Sequence, residues 1–402
     1  MAQGLPQAAE IVIIGGGAVG CSIAYHLAKH GQTDVVVLER DQVGSGSTSK
    51  AAGGIRAQFS TAVEIEFSLR SIAFFERFED EMEAVCDYRK NGYLYLLTDE
   101  ADRQRLEREM ALQRQFGVDV RLIAPEDVRE IVAQLRVDDL VAAVWSPNDG
   151  YAGPNEVVQA YARQARRLGA KILEGTPVTG LRRRGDRVTA VETPQGVIEA
   201  RLVVNAAGPQ AGPVGRLAGL DVPIAPRRRH IFATAEFSAI RHPSPLVFDR
   251  GSGFYFRTDG AAILMSPGDT GEAPDCEPHL DWRLVDETVT KAIRRVPALA
   301  DARVRSGWAG LRPLTPDDHA IVDFAPGFDN LFCAIGFCGH GFQHSPAAGQ
   351  VVAAWLTEGR PPLDLSALSF ARFAGRDLTG HPTPSGAGET PGVESAPERG
   401  EE

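Results

Sequence analysis

The sequence predicts an α/β protein built on a parallel sheet, and three observations carry that expectation. Residues 11–14 (IVII) read as a buried strand, and a glycine cluster follows at once. Residues 18–30 then place apolar side chains at helical spacing and stop at Gly31. Residues 35–38 (VVVL) form a second buried run. Strand, glycine turn, helix and strand make a βαβ unit, whose strands lie parallel with a right-handed crossover.

The remaining elements follow in order. Residues 41–60 are rich in Gly, Ser and Ala, a loop that lets backbone come close to a neighbour. Helices are expected over 61–86 and 99–116, with a strand at 93–97 between them. Asp149-Gly150 marks a turn, and 155–168 reads as an amphipathic helix stopped by Gly169. Residues 171–205 break into short strands (KIL, VTGL, RVTAVET, GVIEA, LVVN) separated by turn signals. Further strands lie within 222–265, a helix at 281–297, strands and glycine turns over 303–342, and a last helix at 343–357. Residues 380–402 are acidic, rich in Pro, Gly, Ser and Thr, and poor in apolar residues, so they are expected to be disordered and to carry no catalysis.

Composition narrows the function. Of 402 residues, 42 are Lys or Arg and 53 Asp or Glu, giving a net charge of −11. That balance lacks the basic footprint of a nucleic-acid binder and a polybasic lipid anchor. The five cysteines are odd in number and form no Cys-x-x-Cys pair, which argues against a disulfide framework or zinc site and for a reducing compartment. His26 and His30 read as a surface pair on a helix, and no metal site is expected. The opening segment has no Lys or Arg, and the uncharged stretch from Ile11 towards Lys29 is interrupted by glycines, so no membrane span and a cytoplasmic location are expected.

The glycines carry the first chemistry. Gly15-x-Gly17-x-x-Gly20 follows a buried strand and opens a helix, and Glu39 ends the next strand. This is the context of a dinucleotide site. Gly15 allows the tight turn, Gly17 admits the pyrophosphate, and Gly20 lets helix and strand pack closely. The helix N-terminus favours the phosphates, and Glu39 suits a ribose with free hydroxyls. The fingerprint does not separate NAD from FAD. The loop Gly44-Ser45-Gly46-Ser47-Thr48 and the downstream VVNAAG (203–208) fit one extended dinucleotide spanning distant segments.

GGGAVG, GSTSKAAGGIRAQF, VVNAAG, WAGLRPLTPDDHAIVD and GFCGHGFQHSPAAG occur in this order between residues 9 and 358. Together they resemble the D-amino-acid oxidase-type flavoproteins, within the branch of sarcosine oxidase, glycine oxidase, proline dehydrogenase β-subunits and FOXRED-type proteins. The resemblance implies a Rossmann-like FAD-binding domain (9–85, 150–220, 305–375). Inserted into it is an α+β substrate domain (86–149, 221–304), an antiparallel sheet flanked by helices. It implies that Gly16, Ala18 and Val19 line the pyrophosphate, and that Ser47, Thr48, Ala52, Gly53 and Gly54 contact phosphate, ribityl and flavin. Val178 would meet the adenine side, and Gly339, His340, Gly341 and Gln343 the isoalloxazine. Arg40, Ala207, Gly208, Gly310 and Phe342 complete the expected cofactor-binding set.

Flavin oxidation of an amine asks the protein to hold a carbon over the flavin and to grip the substrate's carboxylate, a task suited to arginine. By the resemblance Arg312 and Arg56 are the carboxylate ligands. The alternatives are a structural Arg312 paired with Asp317 or Asp318, and an Arg56 that is a flavin-side or surface charge. Tyr255 is either an aromatic beside the substrate or a strand core residue. His340 sits between glycines and is expected to contribute backbone or packing more than a base, with His344 the weaker candidate. Cys333 and Cys338 read as buried small hydrophobes, and Arg227-Arg228-Arg229 and Arg182-Arg183-Arg184 as solvated charge runs.

Three departures from the sarcosine oxidases carry weight. Their covalent flavin cysteine aligns near Gly310, implying noncovalent FAD. Their oxygen-activating lysine aligns near Leu264 or Met265, and a lysine after the glycine-histidine-glycine turn is Gln343 here. The expected activity is oxidation of the C–N bond of a secondary or N-substituted amino acid by hydride transfer to flavin N5. Electrons would pass to a quinone, an electron-transfer protein or O2. A 2-hydroxy acid dehydrogenase and a FOXRED-like assembly factor are the alternatives, and a homo- or hetero-oligomer is left open.

Overall fold

The computed structural model describes residues 4–274 and 277–375. Cys276 and the acidic tail (380–402), on which two of the expectations above fall, lie outside the described residues. The first sheet runs in the order Ile321–Phe324, Leu331–Ile335, Gly196–Asn205, Ala8–Ile14, Val35–Leu38, Lys171–Leu173. Gly180–Arg184 and Arg187–Thr193 extend it as a hairpin beside Gly196–Asn205. Ala8–Ile14 is parallel to both its neighbours, with Val12 opposite Val36 and Val203. Helix Ala18–Lys29 makes the crossover.

Successive strand residues point to opposite faces, so the sheet needs two covers. Ile11, Ile13, Val35 and Val37 pack under helices Ala18–Lys29, Ala62–Phe75, Pro154–Arg167 and Ser345–Glu358, while Val12, Ile14, Val36 and Leu38 face the layer of Ala211 and Val214. Each fully buried side chain such as Ile23 or Leu27 contributes about 1.5–3 kcal/mol. A Cβ at Gly349 would sit 2.2 Å from Ser22 Oγ, so glycine there lets the first and last helices touch.

The second sheet runs Val304–Leu314, Ala225–Thr234, Ala262–Ser266, Tyr255–Asp259, Leu246–Asp249, Tyr93–Leu97, Ala142–Ser146, Arg121–Ile123. It is antiparallel except at one place: Leu246–Asp249 lies parallel to Tyr93–Leu97. That pair joins two insertions far apart in sequence, so no tight turn dictates its direction. Strand Val304–Leu314, grouped above with the FAD-binding segments, hydrogen-bonds along Ala225–Thr234 in this second sheet. One face carries Leu94, Leu96, Phe254, Phe256 and Met265 against Ala292 of helix Leu284–Arg295. The other carries Tyr93, Tyr95, Leu246 and Tyr255.

Several local expectations shift. The helix expected over 61–86 divides into Ala62–Phe75 and Phe78–Met82, ending at Glu83 with φ 50°. The two strands expected in 196–205 are one, because its inner half lies mid-sheet and buries both faces while its outer half alternates. His26 is not a surface residue: it is buried against Tyr25 and Phe74, and burial pushes its pKa down to about 3. Only His30 of that pair is exposed. Arg182, Arg183 and Arg184 are exposed, as expected of a hairpin charge run.

Candidate active site

The loops after Ile14, Leu38 and Asn205 open on one cavity of about 840 Å3. Gly15 has φ 110°, and a Cβ there would lie 2.6 Å from the Ala206 carbonyl oxygen. At Gly20 a Cβ would fall 2.0 Å from the Gly15 carbonyl oxygen. Neither position tolerates a side chain, which gives two of the three fingerprint glycines their physical reason. The Ala18 N–H donates to Thr48 Oγ1 (3.0 Å), tying the helix start to the small-residue loop. Glu39 accepts from the N–H groups of Gly16 (2.7 Å) and Asp41 (2.9 Å) through different oxygens. Each oxygen keeps a lone pair for a ribose hydroxyl.

Nearly all the residues expected to bind the cofactor line this cavity. They are Gly15, Gly17, Ala18, Val19, Glu39, Arg40, Ser47, Thr48, Ala52, Gly53, Gly54, Val178, Ala207, Gly208, Gly310, Gly339, His340, Gly341, Phe342 and Gln343. Gly16 and Gly20 do not: Gly16 turns its N–H to Glu39, and Gly20 serves packing. Arg56, Arg312 and Tyr255 line the same space. The cavity is of the size that holds a cofactor. It joins a dinucleotide cradle at one end to arginines at the other, so the residues present fit an extended dinucleotide.

The far end meets a second, smaller cavity of about 50 Å3. Six residues line both: Arg56, Tyr95, Arg229, Arg250, Arg312 and His340. Arg312, on Val304–Leu314, has no hydrogen bond or ion pair among the described residues. Asp317, one partner considered for it, is held instead by Arg372 at 2.7 Å. Asp318 adopts φ 59° and lines the small cavity, with its carboxyl pushed up to about 6 by burial. A Cβ at Gly339 would lie 2.8 Å from Arg312 Nε, so that glycine lets the arginine stem cross the turn beside His340.

Arg56 is buried beyond the short strand Gly54–Ile55. Its guanidinium donates to the Gln58 carbonyl oxygen and to His340 Nε2 (3.1 Å), and it lies over the Phe59 ring at 4.0 Å. Arginine can only donate, so His340 Nε2 is the acceptor and the ring carries its proton on Nδ1. Burial, with Arg56, His344 and Arg312 adding to it, holds the His340 pKa well below its ordinary value. Gln343 clamps the Arg56 backbone from both sides: its Oε1 accepts from the Arg56 N–H and its Nε2 donates to the Arg56 carbonyl, each at 3.2 Å. His344 is tied to Ser68 (2.9 Å) and Gln343 (3.2 Å), stays neutral with a pKa of about 4, and lines neither cavity. Asp149, buried, accepts from Ala57 N (3.0 Å) and Gln58 Nε2 (3.1 Å) and fixes the loop that carries Arg56.

Tyr255 stacks on Phe248 at 5.8 Å, and Tyr93 and Tyr95 stand beside it on the cavity-facing side of the sheet. The phenol hydroxyls of Tyr93, Tyr95 and Tyr255 make no hydrogen bond among the described residues. Cys333 and Cys338 are buried free thiols, and burial pushes the Cys338 pKa up to about 12.

One expectation fails here. Arg227-Arg228-Arg229 is not a solvated edge, because Ala225–Thr234 is an interior strand between Val304–Leu314 and Ala262–Ser266. Arg229 enters the cavity and pairs with Asp269 at 2.5 Å; burial, with Arg312 adding to it, lowers its pKa to about 10. Arg229, Arg250, Lys50, Tyr93 and Tyr95 were missed by sequence reasoning. A period-two reading of 227–231 would place Arg227, Arg229 and Ile231 on one face, the one signal that pointed at Arg229. Leu264 packs with Ile231, Ala233, Ala52 and Trp308 on the cavity side, whereas Met265 faces the opposite core.

The family model described as FAD dependent oxidoreductase (DAO) matches residues 10–355. The human protein named mitochondrial sarcosine dehydrogenase is 33% identical over 396 residues, covering 94% of this chain and 43% of its own length. The chain thus spans less than half of that relative. The Xenopus laevis FAD-dependent oxidoreductase domain-containing protein 1 is 32% identical, covering 92% of this chain and 83% of its own. Among solved structures, the L-proline dehydrogenase from P. horikoshii superposes with a TM-score of 0.86 at 32% identity, covering 92% of this chain and 98% of that one. No helix among the described residues is long and apolar enough to cross a membrane.

Proposed function

The chain belongs to the FAD dependent oxidoreductase family, and on that premise we propose that it oxidises the C–N bond of a secondary or N-substituted amino acid. The observation that carries the reading is Arg312: a guanidinium without a partner, facing the far end of the dinucleotide cavity beside Arg56 and a neutral His340. An arginine left bare in a cavity calls for an anion, and a carboxylate fits its planar fork. The names of two relatives agree in chemistry, since sarcosine and proline are both carboxylate-bearing amines with an N-substituent. When bound, FAD supplies the acceptor for a hydride from the substrate carbon.

The residues of this chain bind and orient. Arg312 and Arg56 hold the carboxylate, Tyr255 and Tyr93 wall the site and offer phenol donors, and the loop 51–54 with the turn 339–343 carries the cofactor. Gln343 does not stand in for a cation: it fixes the Arg56 backbone and so positions that guanidinium. A 2-hydroxy acid reading needs a base for the hydroxyl proton, and His340 Nε2 is engaged by Arg56. We hold FAD to be noncovalent, since Gly310 offers no side chain. We place the protein in the cytoplasm, with a quinone or electron-transfer protein preferred to oxygen as acceptor because uncharged Leu264 packs beside Ala52. The test is anaerobic bleaching of the purified yellow protein with a panel of N-methyl, secondary, primary and hydroxy acids. Reduction by hydroxy acids alone, or by none of the panel, overturns the reading.

A further inference from the structure

Lys50 closes the short helical turn Thr48–Lys50 and lines the large cavity. Its ammonium has no hydrogen bond or ion pair among the described residues. Its main chain is anchored, for Trp308 Nε1 donates to the Lys50 carbonyl oxygen at 3.0 Å. Its stem is anchored too. A Cβ at Gly310 would lie 2.7 Å from Lys50 Cβ, so residue 310 is glycine because the lysine stem crosses the strand there. Gly310 and Arg312 are two apart on Val304–Leu314 and therefore share a face.

A lysine that lines a cavity and whose ammonium has no partner among the described residues calls for an anion, and three are available in principle. The substrate carboxylate already has Arg56 and Arg312. The pyrophosphate has the helix start at Gly17–Ala18, with Thr48 on the Ala18 N–H, at the other sheet. The lysine stem is pinned to the second sheet, on the strand of Arg312, which is the end where the substrate arginines lie. We propose that Lys50 is the fixed cation at the redox-active end of the bound FAD, where it stabilises the negative charge of the reduced cofactor and raises its potential. The position matters because Leu264 brings no charge to that end and His340 is neutral. This inference takes from the proposed function which end of the cavity is redox-active, but the potential and the FAD affinity are read without substrate, so the two fail separately.

The test uses the FAD-loaded protein with Lys50→Met, which keeps the stem, and Lys50→Arg, which keeps the charge. The midpoint potential is read by equilibration with a reference dye, and FAD affinity by titration of the stripped protein. Lys50→Met should move the oxidised/reduced equilibrium roughly tenfold towards oxidised. For a two-electron couple that is a fall of about 30 mV. FAD affinity should stay within about threefold, and Lys50→Arg should restore the potential. An unchanged potential in Lys50→Met overturns the proposal. So does a large loss of FAD affinity with an unchanged potential in the loaded fraction, which would assign Lys50 to the phosphates. A rise in KM alone would assign it to the substrate and equally overturn it. If Lys50→Met is recovered without cofactor, Lys50→Gln is read by the same two measurements.

Discussion

Replacing Arg312 by lysine isolates the planar fork from the charge. Arg312 has no partner among the described residues, so the substitution orphans no carboxylate and should leave folding and FAD content intact. Its stem crosses Gly339, and lysine can follow the same path, but it offers a single point charge in place of two parallel donors. A hydrogen bond to a charged group contributes about 1.5–3 kcal/mol, and losing one from the carboxylate clamp lowers kcat/KM by roughly 10- to 150-fold. Arg56 remains, fixed by Gln343 and His340, so binding weakens without vanishing. The assay is anaerobic stopped-flow reduction of the flavin across substrate concentrations, with the visible spectrum reporting bound FAD. Wild-type reduction parameters in Arg312→Lys would refute the reasoning and leave Arg56 as the sole carboxylate ligand.

Four further outcomes are expected. Acid precipitation should release intact FAD into the supernatant, because Gly310 offers no thiol; flavin retained in the pellet would contradict this. Leu264→Lys should speed reoxidation by oxygen measured after anaerobic reduction, whereas Met265→Lys should instead lower Tm, since Met265 is 2% exposed in the opposite core. Gly20→Ala should abolish recovery of the yellow protein, since its Cβ would sit 2.0 Å from the Gly15 carbonyl oxygen. Finally, His319 Nδ1 and Glu64 Oε1 form a buried pair at 3.2 Å that lowers the Glu64 pKa and raises that of His319. The glutamate's contribution is present above its unfolded value of 4.5, and the histidine's is complete below 6.5 and lost as pH rises through its raised folded value. His319→Gln should therefore lower stability most between those values, by up to about 3–5 kcal/mol, and least in alkali. A Tm difference that does not shrink above neutral pH would count against the pair.

Signals that lie within one or two turns of chain were legible. The βαβ unit, its three glycines and Glu39 occupy about thirty consecutive residues, and strand period, turn glycines and the helix start are local properties. The ordered motifs then brought Arg56, Arg312, Tyr255 and the turn at His340 together by resemblance, and the structure lines one cavity with all of them. What the chain did not disclose depends on pairing between distant segments. Whether Arg229 meets solvent or a cavity depends on its strand having neighbours on both sides, one of them 81 residues on, where Arg229 lies opposite Gly310. Which of Leu264 and Met265 packs beside the cavity-lining Ile231 and Ala52 depends on a register in which Ala233 opposes Leu264. A one-residue slip would exchange the two faces. The roles of Gln343 and Lys50 depend on contacts with Arg56 and Gly310, 287 and 260 residues away. Periodicity in the chain determines which residues share a face of an element; only tertiary packing decides what that face meets, and the charge and protonation of Arg229 and His340 follow from that meeting.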